Sequence, residues 1–107
     1  MTVQEFMVQS GTPSNLRGFQ LIEMAIEKVM EKPHVNITDI VQEVADDAGL
    51  CWGSAYNQIR TGIITGFPDM DRKLKICLFK KYVLNRDVPP LKEYITTVAY
   101  GLKGNVI

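Results

Sequence analysis

Residues 38–67 read TDIVQEVADDAGLCWGSAYNQIRTGIITGF. Ile40, Val41, Val44, Ala45 and Ala48 recur at helical spacing and give this segment one apolar face. Gly49 follows, a residue that takes left-handed backbone just past a helix at no steric cost. A second helical pattern starts near Trp52 and puts Ala55, Ile59 and Ile63 on one side. Small Ala45 stands four positions before Gly49, and apolar Leu50 and Ala55 come after it. A helix-turn-helix needs this order of parts. The small residue lets two helices cross closely, the glycine lets the chain reverse, and the apolar positions leave the outer side of the second helix free to enter a DNA groove. Gln58 departs from the pattern, because it stands where an apolar residue is expected. An ordinary αα-hairpin satisfies the same spacing, so the stretch alone leaves both readings open.

Toward the N-terminus, residues 2–10 form a short helical pattern carrying Val3, Phe6 and Met7, broken by Gly11, Thr12 and Pro13. Ser14 or Asn15 is the expected cap of the next helix, which runs to about Lys32. Its predicted buried face is Phe19, Ile22, Ala25, Ile26, Val29 and Met30, the hydrophobic spine of the domain. Pro33 ends it. His34, the lone histidine, reads as a solvated loop side chain. Asn36 is the expected cap of the first hairpin helix, with Asp39 in its first turn.

Toward the C-terminus, Gly62 and Gly66 fall late in the second hairpin helix. Each costs about 1 kcal/mol relative to alanine, so a close crossing at Gly62 or fraying at Gly66 is expected. Asp69 is the expected cap of a helix over residues 70–85, with Leu74, Cys77, Leu78 and Tyr82 inward and Arg72, Lys73 and Lys80 forming a basic face. Such cations fit phosphate contacts, which position a protein on DNA without reading its sequence; a solvated lysine face is the plain alternative. Pro90 suits the first turn of a last helix whose stripe is Leu91, Tyr94, Ile95, Val98, Ala99 and Leu102, ending at Gly101 and Gly104. No alternating strand pattern is found. The fold class is therefore all-α: one domain over residues 1–107, a compact bundle of five to six helices containing a helix-turn-helix.

Apolar residues make up 46% of the 107 residues and charged ones 22%, with zero net charge, which supports a real core and argues against disorder. The charge is unevenly spread. Residues 1–50 hold three basic and eight acidic residues, and residues 51–107 hold nine basic and four acidic, so the halves carry −5 and +5. Such asymmetry hints at a surface that faces a polyanion. Cys51 and Cys77 lie far apart with no CxxC and no histidine cluster, so they read as two free, buried thiols and give no zinc signature. No secretory signal opens the chain and no apolar run approaches the ~18 residues of a membrane span, which points to a cytoplasmic protein without a membrane partner.

In this order the pieces resemble the C-terminal effector domain of the stage 0 sporulation protein A response-regulator family, over nearly the whole chain. The markers are Gly11 and Pro13, Gly18-Phe19, Glu23 with Ala25-Ile26, Asp39-Ile40 and Val44-Ala45, Ile59-Arg60 with Ile63, and Glu93-Tyr94-Ile95 with Val98-Ala99 and Leu102. Their gap-free order through the hairpin carries the resemblance. It implies an all-helical DNA-binding domain acting in transcription control in a spore-forming bacterium or its phage. The second hairpin helix would lie in the major groove, and copies would bind double-stranded DNA as a homodimer or in tandem. In the family the recognition helix is rich in arginine and carries an acidic residue and a histidine; here the matching positions are Ser54, Tyr56, Asn57 and Thr61, and Arg60 alone keeps a family charge. Arginine reads guanine and asparagine suits adenine, so a different target is expected. The family's receiver domain has no counterpart in this sequence, as expected of an excised domain or a free-standing module.

The expected DNA contacts are Asn57 and Arg60 to bases, Ser54, Tyr56 and Thr61 as helpers, and Arg72, Lys73 and Lys80 to phosphates. The competing reading is a protein-interaction module on the same fold, favoured by the neutral net charge, the lost arginines and exposed Trp52 and Tyr56 as anchors. An enzyme is not expected. One histidine, two scattered cysteines and no glycine-rich phosphate loop leave little to build a catalytic or cofactor site from.

Overall fold

The first helix starts through a local pair of bonds at Thr2. The Thr2 hydroxyl accepts the Glu5 N–H at 3.1 Å, and the Glu5 carboxylate accepts the Thr2 N–H at 3.0 Å. Two donors that a helix start would leave free are thereby satisfied. In the computed structural model, which describes residues 1–107, this helix is α1 (Val3–Gln9), and it buries Val3, Phe6 and Met7. Five more α-helices follow: α2 (Arg17–Glu31), α3 (Ile37–Ala48), α4 (Trp52–Gly66), α5 (Arg72–Leu84) and α6 (Leu91–Lys103), with a short 3₁₀ turn at Phe67–Asp69. No strand forms. The radius of gyration, 12.7 Å, is that of a single compact domain of this length, about 13 Å.

Helix α2 is the centre, with α1, α3, α4 and α6 packed around it. It buries Leu21, Ile22, Ala25, Ile26 and Val29, while Phe19 and Met30 are half-buried. The buried arc is thus shifted toward Leu21 from the predicted face, because four neighbours cover more of the helix than a single stripe does. Neither Ser14 nor Asn15 caps it. Leu16 holds the cap position without a side-chain bond, since a turn closed by Leu16 N–H and Pro13 O at 3.1 Å delays the helix start. Where α2 crosses α4, Gly18 and Gly62 meet. A Cβ on Gly18 would overlap the Gln58 carbonyl, and one on Gly62 would come within 3.0 Å of the Ile22 side chain. Gly66 does not fray; it lies buried against Thr12, whose hydroxyl donates to Gly62 O at 2.9 Å.

Helix α5 departs most from its sequence reading. Asp69 is taken up in the 3₁₀ turn, and Asp71 is the cap, accepting the Leu74 N–H at 3.0 Å. The helix is kinked at Phe79 (φ −132°, ψ 35°), which turns Phe79 into the core and leaves Cys77 exposed. Leu78 and Tyr82 are half-buried. Cys51 is exposed too, so both free thiols face solvent and neither is a core group. Phe79 stacks on Tyr94 of α6 at 5.4 Å between ring centroids and meets Phe67 edge-on at 5.5 Å; Phe6 meets Tyr94 at 6.2 Å. Burial among these rings pushes the Tyr94 hydroxyl well above the usual tyrosine range. The predicted α6 stripe is buried throughout, from Leu91 to Leu102. Pro90 takes the position before its first turn, and Gly101 is interior rather than terminal, with Leu78 and Ile107 packed beside it.

Candidate nucleic-acid interface

Three residues, 49–51, join α3 to α4. Gly49 adopts left-handed backbone (φ 68°, ψ 34°), and the Leu50 N–H returns to Ala45 O at 2.8 Å. The turn therefore closes on Ala45, which is fully buried. Two longer contacts hold it. The Trp52 indole N–H donates to Thr38 O at 3.0 Å, linking the first turn of α4 to the first turn of α3. Arg17 donates from its guanidinium to Ala48 O at 2.9 Å, placing a cation at the negative end of the α3 dipole. On the far side of α3, Lys28 pairs with Asp47 at 2.7 Å and Lys32 with Glu43 at 2.7 Å, fixing α3 to α2. The Lys28 ammonium is held above the usual lysine range, first by its bond to Asp47, and the Glu43 carboxyl below the usual range, first by its bond to Lys32.

With α3 fixed, α4 buries Ala55, Ile59 and Ile63 and turns Asn57, Arg60, Thr61 and Ile64 outward. These outward positions follow the helical period and form one stripe. Arg60 makes no ion pair, and Asn57 and Thr61 make no side-chain hydrogen bond, so their donors and acceptors are free. Ser54 and Tyr56 stand apart from this group. Ser54 is half-buried and accepts from the Gln58 amide at 2.9 Å, which accounts for a glutamine at an apolar position. Tyr56 is half-buried and stacked on Trp52 at 4.9 Å. Trp52 and Tyr56 are consequently parts of the hairpin clasp, not the exposed anchors expected from the sequence.

The basic face of α5 divides in two. Lys75 donates to Pro68 O at 2.9 Å and sits over the Phe67 ring, and Lys81 lies over Tyr82. Arg72, Lys73 and Lys80 are exposed and form no ion pair. They ride on α5, which, like α4, packs against α6. Arg17 was not among the expected contacts. Together with Gly18, Asn57, Gln58 and Thr61 it lines a shallow pocket of about 300 Å³ between the start of α2 and α4. Its bonding partner is 31 positions away, so no local signal marks it. Opposite in character, α3 exposes Asp39, Gln42, Asp46 and Asp47 and contains no basic residue. No group of three or more His, Cys, Asp or Glu side chains gathers at metal-binding spacing, and no helix is long and apolar enough to cross a membrane. No family model matches the chain and no curated protein sequence matches it.

Proposed function

We propose that this domain binds double-stranded DNA and acts as a sequence-specific transcription regulator of the sporulation effector type, with α4 in the major groove. The observation that carries the proposal is the outward stripe of α4, whose Asn57, Arg60 and Thr61 are unengaged while the helix itself is fixed by the Gly49 turn and the Trp52 bond. Arg60 suits guanine and Asn57 suits adenine, each through paired hydrogen bonds; Thr61 supports either base. Arg17, beside Asn57 and Thr61, and the free cations Arg72, Lys73 and Lys80 serve phosphates. Ser54 acts through Gln58, and Tyr56 stiffens the start of α4. Copies pair or line up in tandem on the duplex.

A second reading, a protein-interaction module, is favoured by the acidic outer surface of α3. In a helix-turn-helix that helix crosses the phosphate backbone, and Asp39 and Asp46 oppose such an approach. Fluorescence anisotropy with random-sequence duplex, at low and moderate salt, separates the two. Under the DNA reading the wild type binds, affinity falls steeply with salt, and Arg60→Ala weakens it. No binding even at low salt sinks the DNA reading and leaves the protein-interaction one.

A further inference from the structure

An open cleft lies between α4 and the loop joining α5 to α6. It measures about 600 Å³, within the roughly 300–1,000 Å³ range of small-molecule sites. Tyr56, Arg60 and Ile64 line one wall, and Asp87, Val88 and Leu91 line the other. The loop wall is held in place. The Asp87 N–H donates to Tyr82 O at 2.9 Å, and the Asp87 carboxylate accepts the Val88 N–H at 2.8 Å through Oδ1, so Oδ2 has no partner. Arg60 and Asp87 line the same cleft yet form no ion pair. One cation and one anion, neither in an ion pair, therefore share a cleft whose other lining side chains are mostly apolar.

That combination constrains a ligand. A plain anion would meet the Asp87 carboxylate, and a plain cation would meet Arg60. A molecule carrying both charges satisfies both walls, and an apolar body fills the space against Ile64, Val88 and Leu91. We propose that this cleft binds a small zwitterion with an apolar body, the chemical class of the aliphatic and aromatic amino acids. The ligand carboxylate takes the paired N–H groups of Arg60, and its ammonium takes Oδ2 of Asp87. Occupancy also withdraws Arg60 from the outward stripe of α4.

The test is an amide-resolved NMR titration of the DNA-free protein with phenylalanine, N-acetylphenylalanine and phenylalanine amide. It is therefore independent of the DNA reading. The expected result is saturable shifts at Tyr56, Ile64, Val88 and Leu91 with free phenylalanine, and at least tenfold weaker binding by each blocked derivative. Arg60→Gln and Asp87→Asn each weaken binding at least tenfold while leaving the melting temperature unchanged, since both side chains are exposed. No saturable shift up to the solubility limit overturns the proposal. Equal binding of the acetylated compound also overturns it, because the cleft would then be a simple anion site.

Discussion

Gly53 and Gly66 lie in the same helix and have opposite surroundings. A Cβ added to Gly66 would overlap the hydroxyl and backbone of Thr12, whereas one added to Gly53 would meet nothing within 4 Å. Alanine gains about 1 kcal/mol over glycine in a helix interior and less near the ends, where both of these glycines lie, so propensity still favours both substitutions. At Gly66 the clash is with backbone and cannot be relieved by a rotamer change, and overpacking of this kind costs about 1–3 kcal/mol. Gly66→Ala is therefore expected to destabilise despite its better propensity, and Gly53→Ala to stabilise by about 0.4–1 kcal/mol. Urea unfolding of the two variants checks both signs. The sequence marks Gly66 as unusual but does not give its partner. Thr12 meets Gly66 only once α2 and α4 have crossed, and spacing along one helix carries no record of a residue on another.

Helices read well from sequence where one stripe meets one core. Every predicted inward position of α6 is buried, and Asn36 caps α3 by accepting the Asp39 N–H at 2.9 Å. α5 read poorly because its period is broken: Leu74 and Phe79 are its buried positions, five apart, and a uniform helix cannot bury both on one face without the Phe79 kink. The expected cap, Asp69, lies two positions before the actual one, Asp71, because the 3₁₀ turn at Phe67–Asp69 takes up Asp69 and leaves no mark in the spacing. The pairing of α2 with α3 was illegible as well, since Lys32 and Glu43 are separated by a loop. It has a pH signature. Lys32 holds the Glu43 carboxyl below its ordinary 4.5, so the stabilisation is present above that value and is lost as pH falls through the depressed value. Thermal melts carried from neutral pH down through 4.5 are expected to show a shallower acid limb for Glu43→Gln than for the wild type. Equal limbs would mean that the pair contributes nothing measurable, as many exposed pairs do.

Charge is unevenly divided along the chain, and composition alone makes this visible. The −5 half supplies α2 and α3, and the +5 half supplies α4, α5 and α6. Folding refines that picture, because Lys75 and Lys81 are engaged with aromatic rings and leave Arg72, Lys73 and Lys80 free. If Lys73 contacts a phosphate, Lys73→Ala lowers the slope of log affinity against log salt by about 0.9 and weakens all sequences alike. An unchanged slope removes α5 from the interface. The acidic α3 makes the sharper whole-molecule prediction. A helix-turn-helix on DNA brings its first helix to the backbone, so Asp39 and Asp46, exposed and without an ion pair, act against binding there. Asp46 accepts only from Gln42, and Asp39 from its own cap residue, so asparagine at either position keeps an acceptor while removing the charge. Asp39→Asn with Asp46→Asn is therefore expected to tighten binding to random-sequence duplex at low salt, with the gain shrinking as salt screens it. Anisotropy of the double variant against wild type measures this. A gain places α3 beside the phosphates. No change with DNA, in a protein that still binds it, would mean that DNA lies against the molecule in another orientation, away from the hairpin.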